Sequence, residues 1–171
     1  MKTESLLQSI LPKLVEALRQ ELREYGEMLA LLDQQREHVI ARNGTEVIQA
    51  VAAINQQAET IRMARTLREQ AQQEVARALQ KANDSSITAL LPFLPENQRF
   101  TVSALMRENN DLMARVQQRA RQNHLLLSRS LELMQRFINT LVPAASPATY
   151  TGTGQIQPRA VPPQPIYEAI G

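Results

Sequence analysis

From Leu7 onward, apolar residues recur in steps of three and four: Leu7, Leu11, Leu14, Leu18, Leu22, Tyr25, Leu29, Leu32 and Val39, with Arg36 standing where the stripe needs one more. This spacing predicts a long helix that buries one narrow seam against a neighbouring helix. Pro12 falls inside the pattern, so the helix either kinks there or properly begins near it. Asn43-Gly44 then brings residues that tolerate positive φ to the end of the stripe, and Thr45 is placed to cap a second helix. A second stripe runs through Val47, Val51, Ile54, Ala58, Ile61, Ala64, Leu67, Ala71, Val75 and Ala78, with small residues that allow close approach of a partner helix. Asn83-Asp84-Ser85-Ser86 ends it and offers an N-cap to a short ITALL turn, which Pro92 stops. A third stripe joins Val102, Leu105, Asn109, Leu112, Val116, Ala120, Asn123, Leu127, Ser130, Met134, Phe137 and Leu141, and Val142-Pro143 forbids its continuation. That helix would be about 40 residues long, roughly 60 Å.

Three amphipathic segments with short connections predict an all-α fold, an elongated antiparallel bundle of three long helices spanning 1–142. After it the composition changes. Residues 143–171 hold six of the nine prolines and three of the five glycines, too little apolar surface to offset ordering, so they are expected to form a disordered tail.

Composition narrows the chemistry. Aromatic residues make up 4% of the 171 and Trp is absent, so the core must be aliphatic. Without Cys there are neither disulfides nor thiolate ligands, which fits a reducing compartment. No apolar run approaches the roughly 20 residues a membrane span needs, and Glu4 and helical spacing occupy the place of a signal peptide's basic start; a cytoplasmic protein without stable membrane insertion is expected. His38 and His124 lie on different predicted helices without acidic residues at ligand spacing, so no metal, cofactor or catalytic role is assigned. Phosphate loops and the common hydrolase and zinc motifs are missing. Carboxylates such as Glu21 and Glu24, with Arg19 and Arg23 nearby, read as a solvated face. The chain reads as a binding protein rather than an enzyme.

Arg115, Arg119, Arg121 and Arg129 follow one another between Leu112 and Leu131 with no acidic residue among them. Nucleic acid is not expected to bind, because aromatic stacking platforms and a recognisable module are both missing; the run is either a polar face or a contact for an acidic protein. Asn109 and Asn123 fall on the third stripe, where they either fix register from a buried position or turn outward. The cluster of Leu125, Leu126, Leu127, Leu131, Leu133, Met134, Phe137 and Ile138 is wider than one seam requires. Its surplus is read as a surface for an amphipathic partner, with self-association or the ITALLPFLP connector as the other occupants.

The segment RQNHLLLSRSLELMQRFINTLVP, followed after a proline-containing spacer by TYTGTGQ, resembles the FlgN family of flagellar export chaperones. There the third helix tends to read Asn-Gly-x-Leu-Leu, matched by Asn123, Leu126 and Leu127 with His124 in place of Gly; the tail motif is matched by Tyr150, Gly154 and Gln155. The resemblance covers the chain to about residue 157, and the run QPRAVPPQPIYEAIG has no counterpart in it. It implies a cytoplasmic chaperone that binds the helical C-terminal region of the hook-filament junction proteins and delivers them to the flagellar type III export gate. The substrate-binding residues so implied are Asn123, Leu126, Leu127, Leu131, Met134, Phe137, Ile138 and Leu141; Tyr150, Gly154 and Gln155 would dock on the cytoplasmic domain of the gate. A structural coiled-coil adaptor that acts by oligomerising is the alternative function.

Overall fold

A computed structural model of the chain describes residues 2–141, 149–150 and 156–157, with side chains from Leu6 to Thr140. It contains the helices α1 (Lys2–Ile40), α2 (Gly44–Ala78), α3 (Ile87–Leu90) and α4 (Glu96–Leu141), a 3-10 turn at Leu91–Phe93, and two short strands, β1 (Thr149–Tyr150) and β2 (Ile156–Gln157). The chain divides into two compact units, Met1–Ser128 and Arg129–Gly171. Three of the helices are long, as the stripes predict, but the total is four, because Ser86 caps ITAL into a helical turn by accepting from the Ala89 N–H at 3.2 Å. The tail is expected to be disordered; most of it lies outside the described residues, and β1 and β2 pair antiparallel there, Thr149 with Gln157 and Tyr150 with Ile156.

α1 continues through Pro12 instead of starting at it. Pro12 is on the exposed side, where water can serve the carbonyl that loses its helical donor. The turn after α1 corrects the sequence reading as well. Arg42, not Asn43 or Gly44, adopts the left-handed conformation (φ 58°), and the Asn43 N–H reaches back to the His38 carbonyl at 3.0 Å while Arg42 N–H reaches that of Val39 at 3.1 Å. This six-to-one and five-to-two pair is a Schellman closure. α2 ends by the same device on Gln80 (φ 56°), with Lys81 bonded to the Ala76 carbonyl at 2.8 Å. Thr45 does not cap α2; Asn43 holds the cap position, without a side-chain bond.

Within the first unit, α2 runs antiparallel to α1: Lys13 meets Glu74, Glu21 meets Arg65 and Arg68, and Glu24 meets Gln57. α4 runs parallel to α1, since Asn109 reaches Leu18 and Asn123 reaches Leu32. Both contacts have the same sequence offset of 91.

The buried positions of α1 are Leu7, Leu11, Leu14, Leu18, Glu21, Tyr25, Met28, Leu32 and Gln35, an unbroken alternation of steps of four and three, with Val15 beside it. Thus Glu21 takes the place expected for Leu22, Met28 that of Leu29, and Gln35 carries the seam past Arg36. On α2 the inward position is Arg68, leaving Leu67 57% exposed, and on α4 Arg119 rather than Ala120 turns inward.

These polar positions divide the core. One apolar cluster contains Leu7, Leu11, Leu14, Leu18, Ala71, Val75 and Val102 and is closed by Ile87, Leu90 and Leu94 of the connector. The other is built on Tyr25, Met28, Leu32 and Ile61. Next to both lies Glu21, 5% exposed. It is paired with Arg68 at 2.8 Å and Arg65 at 3.7 Å and accepts from the Tyr25 hydroxyl at 3.2 Å, while Arg65 donates to that hydroxyl at 2.8 Å. Reading Glu21 as part of a solvated face is therefore wrong: it is buried, and its cationic partners come from α2, not from Arg19 or Arg23. Burial holds the Tyr25 hydroxyl above the ordinary tyrosine range; the hydrogen bond from Arg65 opposes this, and the Glu21 carboxylate adds to it.

A buried carboxylate that loses its cation is costly, whereas an apolar pair of similar size is not. Arg68→Ala should lower unfolding free energy by about 3 kcal/mol, while Glu21→Leu combined with Arg68→Leu should stay within about 1 kcal/mol of the parent, both read by urea denaturation. Relief of two left-handed non-glycine residues gives the opposite sign: Arg42→Gly with Gln80→Gly should raise the stability by about 1 kcal/mol, read as a higher urea midpoint at unchanged slope.

Candidate functional site

In the first unit, Asn123 faces inward, 3% exposed, and its amide donates to the Leu32 carbonyl at 2.6 Å and to Gln35 Oε1 at 2.9 Å. Its side chain is thus engaged with α1. Asn109 does the same one layer earlier, donating to the Leu18 carbonyl at 2.9 Å and to its own helix at Leu105. Both asparagines therefore adopt the buried, register-fixing option left open by the sequence. Leu126 and Leu127 are half-buried, Leu125 is exposed, and the inward seam runs through 119, 123 and 126.

The run of arginines resolves into separate environments. Arg119 is 28% exposed in its side chain and pairs with Asp33 of α1 at 2.6 Å, while Arg115, Arg121 and Arg129 are exposed. The partner of Arg119 was not legible locally, because it lies more than eighty residues earlier. His38 is half-buried at the end of α1 and His124 is exposed. Among the described residues no cluster of His, Cys, Asp or Glu could hold a metal ion, and no helix is long and apolar enough to cross a membrane.

In the second unit, every residue of α4 from Arg129 to Thr140 is exposed. Leu131 (65%), Leu133 (66%), Met134 (59%), Phe137 (62%) and Ile138 (48%) are large apolar residues among them. At 100° per residue they occupy an arc roughly 160° wide, with Glu132, Gln135, Arg136 and Asn139 on the other side. The helix is thus cleanly two-faced. Leu141 ends α4 within the same arc by sequence, but its side chain lies outside the described residues. The ITALLPFLP connector, the alternative occupant, is engaged elsewhere: Ile87, Leu90 and Leu94 belong to the cluster with Leu11 and Val102.

Complete burial of a Leu, Met, Phe or Ile side chain is worth about 1.5–3 kcal/mol, so covering five that are 48–66% exposed would return on the order of 5 kcal/mol before the costs of association.

In the tail, Tyr150 lies in β1, while Gly154 and Gln155 lie outside the described residues. Sequence reasoning placed the apolar surplus on the right stretch of helix. It missed Arg119 and Gln35, whose inward positions show only in the strict alternation of threes and fours.

Neither a curated protein nor a solved structure matches the chain. A family model described as FlgN protein matches residues 10–158, from the first turns of α1 to just past β2, leaving out the run from Arg159 onward. With residues 10–158 of its 171 matched, the chain belongs to the FlgN protein family, a family of flagellar chaperones.

Proposed function

We propose that this protein is a cytoplasmic export chaperone that binds the helical C-terminal region of hook-filament junction proteins and delivers them to the flagellar type III export gate. The observation that carries this reading is the exposed apolar arc of Leu131, Leu133, Met134, Phe137 and Ile138 in a member of a flagellar chaperone family. A junction protein kept unfolded before secretion exposes an amphipathic segment prone to self-association. Laying that segment along the arc covers both apolar surfaces without folding the guest, and nothing in this contact requires nucleotide. Leu131, Met134, Phe137 and Ile138, with Leu141, form the grip; Leu126 and Leu127 extend the apolar sequence, and Asn123 acts as a positioning residue by fixing α4 on α1.

Tyr150, with Gly154 and Gln155, is assigned to the gate. A tyrosine is an economical anchor for this purpose, because its ring brings a large contact area at the cost of ordering only two rotors. Docking by the tail leaves the helix free to hold the guest. Self-association through the same arc is the competing use.

Leu131→Asp with Phe137→Asp should leave the helical content unchanged, since both side chains are exposed, and should weaken capture of a junction protein in co-purification by about thirtyfold or more. Capture at parental strength would place the grip elsewhere, and a stable oligomer that the double variant breaks into monomers would favour the adaptor reading. Tyr150→Ala should retain guest binding and lose affinity for the isolated cytoplasmic domain of the gate in calorimetry; equal affinity would refute the docking role.

A further inference from the structure

Two cavities in the first unit share Arg36 of α1 and Arg119 of α4 in their walls. The larger, about 400 Å³, also holds Asp33, Glu37 and Ile40. The smaller, about 360 Å³, is lined by Arg36, Arg119, Gln122, Asn123 and Leu126, with no carboxylate among them. We propose that this smaller cavity is a carboxylate-binding cleft that receives a Glu or Asp side chain of the guest helix; the inference deepens the chaperone reading and rests on it.

Two guanidiniums lining one cavity repel each other unless an anion lies between them. Arg119 is partly compensated, because its Nη1 meets Asp33 Oδ1 at 2.6 Å on the side of the larger cavity. Arg36 is exposed and makes no ion pair among the described residues. Glu37 lines the larger cavity alone. The smaller one therefore offers the guanidiniums of Arg36 and Arg119 and the carboxamide of Gln122, the Asn123 amide being spent on Leu32 and Gln35; a guanidinium fork suits a bidentate carboxylate.

A peptide side chain fits better than a free ion. The cavity is several times the roughly 30 Å³ share of one water molecule, and Leu126 adds an aliphatic wall that the methylene stem of an acidic side chain would cover and inorganic phosphate would not. Electrostatic contacts of this kind add selectivity and orientation more than strength.

The test uses the full chain and synthetic peptides of the C-terminal helical region of a junction protein encoded by the same genome, with each Glu or Asp replaced in turn by Gln or Asn, followed by fluorescence anisotropy at low salt. Arg36→Gln, at an exposed and unpaired position, should keep the parental circular dichroism and weaken the native peptide by about five- to tenfold. Against one of the substituted peptides, that loss should vanish. Equal binding of the native peptide by the parent and Arg36→Gln, or a loss of the same size for every peptide, overturns the cleft while leaving the chaperone reading in place. Failure of the parent chain to bind the native peptide sinks the reading beneath it. Inorganic phosphate at millimolar concentration serves as the last arm: if it binds at Arg36 and the peptide does not displace it, the site takes small anions and the proposal falls.

Discussion

Two asparagine amides hold α4 on α1. Asn109 and Asn123 each donate to a helix-interior carbonyl, at Leu18 and Leu32, using the lone pair that the helix's own hydrogen bond leaves free. Neither Oδ1 finds a partner among the described residues. An unsatisfied buried acceptor costs about 1–3 kcal/mol, comparable with the return from the donated bonds, so these residues add little net stability. Their effect is on register: sliding α4 by one residue would take both amides off their carbonyls together, and that penalty favours the observed alignment. Glu21 and Arg68 do the same for α2.

Where these contacts place α4 decides what the rest of the chain can do. The last of them is at Asn123, and from Arg129 to Thr140 α4 is exposed throughout, its large apolar side chains included. A helix chosen only for stability would end there or turn polar. Instead it keeps one face apolar and the other polar, the pattern of an amphipathic helix.

The stripes were legible because each long helix repeats its apolar spacing over many turns, and so was the surplus after Leu125, since three consecutive leucines cannot all face one seam. The exact line of each seam was not. At Glu21 and Leu22, Leu67 and Arg68, and Arg119 and Ala120, two adjacent residues compete for one inward position, and hydropathy favours the apolar or small one. The charged residue wins in each case because its partner arrives from another helix, more than forty residues away in sequence. Local composition cannot show such a partner. The turns failed for another reason: Asn43-Gly44 is the better left-handed pair by propensity, but the closing bonds to His38 and Val39 set the end of α1 one residue earlier and put Arg42 there.

The spacing of the two asparagines has a geometric consequence. They are two heptads apart on α4, and the carbonyls they reach are two heptads apart on α1. On straight helices of 3.6 residues per turn, such positions drift by about 20° per heptad, so the second amide would point roughly 40° away from its carbonyl. Both bonds form together only if α1 and α4 wind gently around each other in the left-handed sense, trading a slight underwinding of each helix for a straight line of contact.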